Sequence, residues 1–276
     1  METVTGRIDT VFKTIIMSAI DFLKLSDFEK IQLDDRIVLN KKENLDASIV
    51  GRTVDYMSRL AYSHDFKKSF YLPLIGLAIA AERKKDNTFF YETLEILWKD
   101  MSADVLSDKA ITATCRLASF DVWERNPSQA IKYHNIESIN PDHETAQNIR
   151  CLLKRTLYFY NRERIFYNRD TVKFDDGYLE GGFTDTVGKG DFDFLTSDTL
   201  FDLKVVQEAT LKRSAKKYIL QILMYWIIGK HSGNEVFKDI TKIGFFNPRS
   251  NAAYVLNMSK VSPDIIRFVE DYVICY

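Results

Sequence analysis

Cysteine is scarce in this chain and long apolar runs are missing, and each shortage argues against a class of protein. The 276 residues include Cys115, Cys151 and Cys275, an odd number at scattered positions. This is typical of unpaired thiols in a reducing compartment, so we expect a cytoplasmic protein. The longest apolar run, 72–81, is too short to span a bilayer, and the charged N-terminus lacks a signal-peptide pattern, so we expect no membrane association.

An excess of basic charge is also missing. The 38 lysines and arginines are balanced by 39 acidic residues, giving a net charge of −1. Such a chain is not expected to coat nucleic acid non-specifically, and any binding has to come from a local patch. The four histidines do not have the spacing of zinc ligands. The remaining composition, 46% hydrophobic and 28% charged, is that of an ordinary globular protein.

The most informative stretch is a predicted β-hairpin. Residues 191–195 and 200–205 alternate polar and apolar side chains around a Ser/Asp/Thr break, a pattern that predicts two strands joined by a turn. The apolar side chains are expected to form a core face, which comprises Phe192, Phe194, Phe201, Leu203 and Val205.

The polar face of this hairpin carries opposed carboxylates. If the turn is centred between Ser197 and Asp198, Asp193 lies opposite Asp202, and Asp191 and Lys204 form the next pair. Directly opposed side chains have Cβ atoms roughly 4.5–5.5 Å apart, where like charges are destabilising. The pattern therefore indicates either a solvated charged face or a site for a hard divalent cation such as Mg²⁺ or Mn²⁺.

The segment that follows, 214–228, is predicted to be an apolar helix with Gln221 and Tyr225 four residues apart on one face. With them, the stretch contains three spaced motifs: Gly190-x-x-Asp193, Asp202-x-Lys204 and Gln221-x-x-x-Tyr225. In order and spacing these motifs resemble those of the PD-(D/E)XK nuclease superfamily, in its RecB-like branch. The resemblance covers roughly residues 178–260.

This resemblance implies roles for the motif residues. Asp193 and Asp202 would bind Mg²⁺ or Mn²⁺, with the Leu203 carbonyl as a further candidate ligand. Lys204 would orient or activate the attacking water, and the glutamine and tyrosine would position the substrate or the site. The implied activity is metal-dependent hydrolysis of phosphodiester bonds, with DNA favoured as the substrate and RNA left open as the alternative. Some RecB-like relatives hold an iron–sulfur cluster through four cysteines, and the cysteine content argues against one here.

The implied fold is α/β (α+β), a restriction-endonuclease-like core with a central mixed sheet flanked by helices. We expect N-terminal helices over 1–65, including the first core helix, a helical insertion over 66–165, and the nuclease core over 166–276. The alternative for the middle block is an N-terminal helical region. Helices are predicted from residue 8 to 23 and over 45–62, 72–83, 89–101, 109–123, 143–160, 214–228 and 264–273, and strands over 174–187, 242–246 and 252–256.

A third acidic ligand has two candidates. Gly51 and Asp55 resemble the G-x-x-x-H motif of RecB-like nucleases, with Asp in place of His. The alternative is that Asp55 forms a helical ion pair with Arg52 or Arg59. Glu163, which lies shortly before the predicted sheet, is the other candidate.

Basic residues in two places are candidates for nucleic-acid binding. One set, Lys212, Arg213, Lys216 and Lys217, begins the Gln221 helix, where positive charge opposes the helix dipole. The other, which includes Arg162 and Arg164, is interleaved with aromatic residues as in a nucleic-acid groove. Solvated helix faces would explain both sets equally.

Two further functions stay open. One is a catalytically silent nuclease-fold module that binds nucleic acid or a protein. The other is a nuclease effector whose helical region docks a protein partner, as in bacterial or phage defence systems.

Overall fold

The computed structural model describes residues 1–14, 21–101, 104–128, 130, 135–167 and 172–276, with backbone only at 87 and 163–167. The chain forms two compact units. One combines Met1–Asp35 with Arg162–Tyr276 and contains the strands, and the other, Arg36–Asn161, is helical. The helical unit is therefore inserted in the sequence of the sheet unit. The protein belongs to the α+β class.

The helical unit follows the apolar periodicity of its sequence closely. Its helices are α2 (Ala47–Ser63), α3 (Phe66–Ser69), α4 (Tyr71–Lys84), α5 (Asn87–Met101), α6 (Asp108–Ser119), α7 (Asp121–Arg125) and α8 (His143–Tyr167), the last of which continues into the sheet unit. The predicted single helix over 109–123 is wrong, since the chain turns at Phe120 between α6 and α7. Helix α4 approaches this joint so closely that a Cβ on Gly76 would lie 1.9 Å from the Phe120 carbonyl oxygen.

The sheet unit contains the remaining elements. They are β1 (Glu2–Thr3), α1 (Val4–Phe12), β2 (Glu29–Gln32), β3 (Lys173–Phe174), β4 (Val187–Lys189), β5 (Phe194–Leu195), β6 (Thr199–Leu203), α9 (Glu208–His231), β7 (Lys242–Asn247), β8 (Ala252–Asn257) and α10 (Pro263–Phe268). Six strands form a mixed sheet in the order β2-β8-β7-β6-β5-β3, in which β6 and β7 are parallel and the other pairs antiparallel. Strands β1 and β4 form a separate parallel pair.

Part of the predicted sheet is wrong. The expected strand over 174–187 ends at Phe174, and the chain then turns until β4 begins. Gly177 and Gly181 adopt positive φ angles of 79° and 86° there, which an extended strand does not contain. Gly182 lies against the end of α9, where a Cβ would come 2.0 Å from the Ile228 carbonyl oxygen. Gly182 therefore allows a close approach between the two backbones.

The N-terminal region also differs from the prediction. Helix α1 ends at Phe12, and the buried Phe22 and Leu23 lie outside any helix. The predicted helical residues 15–20 lie outside the described part of the chain. Strand β2 was not predicted, and it pairs along its whole length with β8.

Helix α9 packs on the sheet and holds the core of this unit together. Its buried side chains share one apolar cluster with Leu195, Leu200 and residues of α1, β7 and β8. All five residues of β6 are buried, so both faces of this strand are enclosed. Within the described residues, none of the helices is long and apolar enough to cross a membrane.

Candidate active site

The β5–β6 hairpin brings two aspartates to the same end of its strands. Phe194 pairs with Phe201 and Leu195 with Leu200, which is the register predicted from the turn. The same register continued by one residue places Asp193 across from Asp202. The Asp193 Oδ2 atom accepts a hydrogen bond of 2.6 Å from the Leu203 backbone amide, and this bond fixes its carboxylate beside β6.

Asp202 is an unusual residue for the centre of a sheet. Strand β6 has β5 on one side and β7 on the other, and only 4% of Asp202 is exposed. Its side chain lies on the same face of the strand as Leu200, which belongs to the core shared with α9. A carboxylate in this position requires a charged or hydrogen-bonding partner.

Lys204 supplies that partner. Its Nζ atom forms an ion pair with Asp202 Oδ2 and donates a 3.0 Å hydrogen bond to Gln221 Oε1. Burial on its own lowers the pKa of Lys204, but the charges of Asp202 and Asp193 outweigh it and hold the pKa above its ordinary value of 10.5. Lys204 is therefore an ammonium at neutral pH. Its ion-pair partner is Asp202, two residues before it in the chain.

Two side chains of α9 extend this network. Gln221 Nε2 donates a 3.2 Å hydrogen bond to the hydroxyl oxygen of Tyr225, one helical turn further on. Tyr225 is buried, and its ring lies close to Gly190, where a Cβ would be 3.0 Å from Tyr225 Cε1. Gly190 thus leaves space for the tyrosine. Of the residues that the three motifs predicted, Asp202, Lys204, Gln221 and Tyr225 form one connected chain of contacts.

The donor chemistry of this site suits a hard divalent cation. Asp193, directly before β5, and Asp202, on β6, offer carboxylate oxygens, and Mg²⁺ is commonly held by one or two carboxylates together with waters and phosphate oxygens. Among the described residues there is no cluster of three or more acidic, histidine or cysteine side chains that could hold a metal. Within that part of the chain, Asp193 and Asp202 are the carboxylates available to a cation here, and the Leu203 carbonyl remains a candidate further ligand.

The candidates for a third acid stay predictions. Asp55 lies on α2 in the helical unit, where its Oδ1 atom accepts a 2.8 Å hydrogen bond from Arg59 Nε in an ion pair. This ion pair is the alternative that the sequence left open for Asp55. The side chain of Glu163, on α8, lies outside the described residues.

The basic residues at the start of α9 fall into two groups. Lys212 pairs with Glu208 at 3.1 Å, and Lys217 pairs with Asp9 of α1 at 2.7 Å. Arg213 and Lys216 are exposed and form no ion pair with any residue that the structure describes. The first two lysines therefore have protein counter-ions, whereas Arg213 and Lys216 remain available to an external anion.

The second basic set is described in part. Arg162 is half-buried on α8, in the segment that belongs to the sheet unit. The side chain of Arg164 lies outside the described residues. A nucleic-acid contact through either arginine stays a prediction.

Sequence reasoning missed residues that hold Lys204 in place. The ring centroid of Tyr218 lies 4.4 Å from Lys204 Nζ, and its spacing of three residues before Gln221 was a signal that it shares that helix face. Asn247, the last residue of β7, donates a hydrogen bond to the Val206 carbonyl, and Arg249, just after the strand, donates one to the Val205 carbonyl. The sequence predicted only a turn there, although this turn fixes the chain directly after Lys204.

In comparisons with known proteins, no family model, no curated protein and no solved structure matches this chain. The function therefore has to be argued from the residues and their geometry.

Proposed function

We propose that this protein is a metal-dependent nuclease that hydrolyses phosphodiester bonds, in DNA rather than RNA. One observation carries the proposal: the Lys204 ammonium bridges Asp202 on β6 and Gln221 on α9, with Asp193 bound to the intervening Leu203 amide. An acidic pair, a lysine and a helical glutamine are thus assembled at one end of a sheet. Metal-dependent phosphodiester hydrolysis uses carboxylates that hold the cation and a fixed positive charge that stabilises the developing negative charge.

The order of elements supports the same proposal. Strands β3, β5 and β6 form an antiparallel meander, α9 follows, and β7 returns parallel to β6. This agrees with the restriction-endonuclease-like core that the motif resemblance implied, and we propose that fold for the sheet unit. The three cysteines are unpaired, so the proposal places the enzyme in a reducing cytoplasm.

Each residue has a task that follows from its contacts. Asp193 and Asp202 would hold the divalent cation, which when bound lowers the pKa of a water ligand and offsets charge on the phosphate. Lys204 would act as a hydrogen-bond donor and positive charge toward the water or the phosphate. Gln221, itself oriented by Tyr225, determines where that ammonium lies.

A purely structural explanation of Asp202 and Lys204 is weaker. Replacing a buried ion pair by apolar residues of similar volume is often neutral or stabilising, so folding alone gives little reason for such a pair inside a sheet. A role in chemistry explains why a carboxylate and an ammonium lie together in an otherwise apolar layer.

The test is cleavage of labelled single- and double-stranded DNA and RNA in Mg²⁺, Mn²⁺ or EDTA. Wild type is compared with Asp202→Asn and Lys204→Met. The matched control is Lys242→Met, which breaks the Lys242–Asp198 pair of 2.7 Å at the other end of β6 and β7.

We expect metal-dependent cutting of DNA that both site variants lose and the control keeps. Cutting that survives in both site variants would exclude this site. If the wild type fails to cut any substrate, the protein is instead a binding module or an effector that requires a partner.

A further inference from the structure

The Lys204 ammonium has three neighbours that come from two elements. Asp202 on β6 forms the ion pair. On α9, Gln221 Oε1 accepts the hydrogen bond of 3.0 Å, and the ring centroid of Tyr218 lies 4.4 Å from Nζ. The ammonium thus lies between a strand that offers negative charge and a helix that offers an amide oxygen and an aromatic ring.

Asp202 cannot serve the ammonium and a divalent cation equally well. A cation on this carboxylate would introduce positive charge within a few ångströms of Nζ, and like charges at that distance repel strongly away from bulk water. The side chain of Lys204 is only 14% exposed, so solvent offers little to replace the lost partner. Whatever else holds the ammonium therefore determines how readily Asp202 can release it.

Helix α9 offers two groups that hold the Lys204 ammonium. Gln221 Nε2 is occupied by the Tyr225 hydroxyl, which turns the amide oxygen toward Lys204. The face of an aromatic ring attracts an ammonium through its quadrupole, and more strongly when water is excluded. Tyr218 is half-buried and packs against the apolar core, so its ring position is fixed.

We propose that Tyr218 is a positioning residue of this site: its ring, with the Gln221 amide, holds the Lys204 ammonium while Asp202 exchanges that ion pair for a divalent cation. The inference rests on the proposed metal-dependent function. It assigns a role in cation binding to a residue outside the three sequence motifs.

The test is a double-mutant cycle on Mn²⁺ affinity, measured by calorimetry with the full chain after EDTA treatment and dialysis. Tyr218→Leu removes the ring and Tyr218→Phe keeps it. We expect Tyr218→Leu to weaken Mn²⁺ binding by ~3- to 30-fold, which is the range of a cation–π contact, and Tyr218→Phe to bind like wild type. Lys204→Met should tighten binding, because a competing charge is gone.

The decisive comparison is Tyr218→Leu in the Lys204→Met background. If the tyrosine acts through the ammonium, its removal there should change Mn²⁺ affinity by no more than about twofold, the error of additivity for independent sites. The same loss in both backgrounds would mean a structural role and overturn the proposal. If Tyr218→Phe weakens Mn²⁺ binding as much as Tyr218→Leu, the proposal is overturned as well, since the aromatic ring would then not be the group that holds the ammonium.

Failure of the proposed function gives a different result. A wild type that binds neither Mn²⁺ nor Mg²⁺ contradicts the metal site and the exchange with it, whereas Mn²⁺ binding without coupling contradicts Tyr218 alone. If Lys204→Met does not fold, the double-mutant cycle is instead measured by urea unfolding, with Asp202→Asn/Lys204→Met as the second background. Tyr218→Leu should then reduce the folding equilibrium constant less in that neutral background than in wild type, and an equal reduction overturns the proposal.

Discussion

Replacing Lys204 by methionine should destabilise the sheet unit strongly, although the change is nearly isosteric and adds apolar character. The reason is the carboxylate left behind. Asp202 is 4% exposed, with β5 and β7 on either side, so water cannot take the place of the ammonium. The opposed Asp193 adds repulsion once the positive charge is gone.

The magnitude follows from the geometry. Two unit charges about 4 Å apart interact by about 4 kcal/mol at an effective dielectric constant of about 20. Removing one partner of a buried pair typically costs about 3–5 kcal/mol, and the two figures agree. Lys242→Met is the control, because the side chains of Lys242 and Asp198 are 37% and 42% exposed, and exposed pairs contribute about 0–1 kcal/mol. Asp202→Asn/Lys204→Met should recover much of the loss, since no isolated charge remains.

Trp226 provides the assay. It is the tryptophan of the sheet unit, and its indole nitrogen donates a 3.0 Å hydrogen bond to the Ile240 carbonyl. With Trp98 and Trp123 of the helical unit changed to phenylalanine, fluorescence reports unfolding of the sheet unit alone. With a urea m-value of about 1–3 kcal/mol/M, Lys204→Met should lower the midpoint by about 1–3 M or more. A midpoint equal to that of Lys242→Met, or no recovery in the double variant, would refute the reasoning.

The pH dependence of this contribution has a defined sign. The pKa of Lys204 is raised in the folded protein above its ordinary value of 10.5. Its stabilisation is therefore fully present below the unfolded pKa and is lost as the pH rises through the folded pKa. The difference between wild type and Lys204→Met should be constant around neutrality and decrease only above pH 10.5.

Further predictions concern the surface, the backbone and the thiols. Arg213→Gln should weaken DNA binding in EDTA and reduce the slope of log affinity against log salt by roughly 0.7–0.9. Lys217→Gln should change the affinity and the slope less, because the Lys217 ammonium already pairs with an aspartate of α1. Anisotropy titrations that give equal effects for the two variants would contradict this prediction. Gly182→Ala should lower the melting temperature, because the alanine Cβ would lie 2.0 Å from a backbone oxygen of α9 and overpacking costs about 1–3 kcal/mol or more. An unchanged melting temperature would exclude the close approach of Gly182 to α9. Burial raises the pKa of the Cys115 thiol to about 11. Iodoacetamide at mildly alkaline pH should therefore alkylate the exposed Cys275 before Cys115. Equal alkylation rates for the two cysteines by mass spectrometry would contradict the burial of Cys115.

The hairpin could be predicted from sequence because its information is local. A period of two and a turn between Ser197 and Asp198 are enough to set which residues face each other, and the observed pairs follow that register. The same holds for helices such as α4 and α9, whose apolar spacing is continuous, but not for the helices predicted from residue 8 to 23 and over 109–123, since α1 ends at Phe12 and the second prediction divides at Phe120. The strand predicted over 174–187 was wrong because the conformation of this segment involves contacts with α9 that local periodicity does not contain. Strands of two residues such as β3 are too short to show a period of two.

The contacts of Lys204 with α9 are a further case in which local reasoning was insufficient. Strand periodicity placed Lys204 on the face of Asp191 and Asp202, but it gave no position for the helix that covers this face. With α9 in place, the amide of Gln221 draws the ammonium toward the helix, where Asp202 is its nearest acid. The helix also explains the burial of Asp202, because a strand with neighbours on both sides and a helix above it admits little water.

The site therefore depends on a conflict that only the three-dimensional arrangement reveals. Two carboxylates from adjacent strands require positive charge, and Lys204 supplies it from within the chain. A divalent cation bound there would also offset both charges, since Mg²⁺ is held by one or two carboxylates together with waters and phosphate oxygens. The Lys204 ammonium can leave its ion pair with Asp202 only if α9 still holds it, through Gln221 and Tyr218. The helix that completes the fold of the sheet unit is thus also the element that would make the acidic pair available for catalysis.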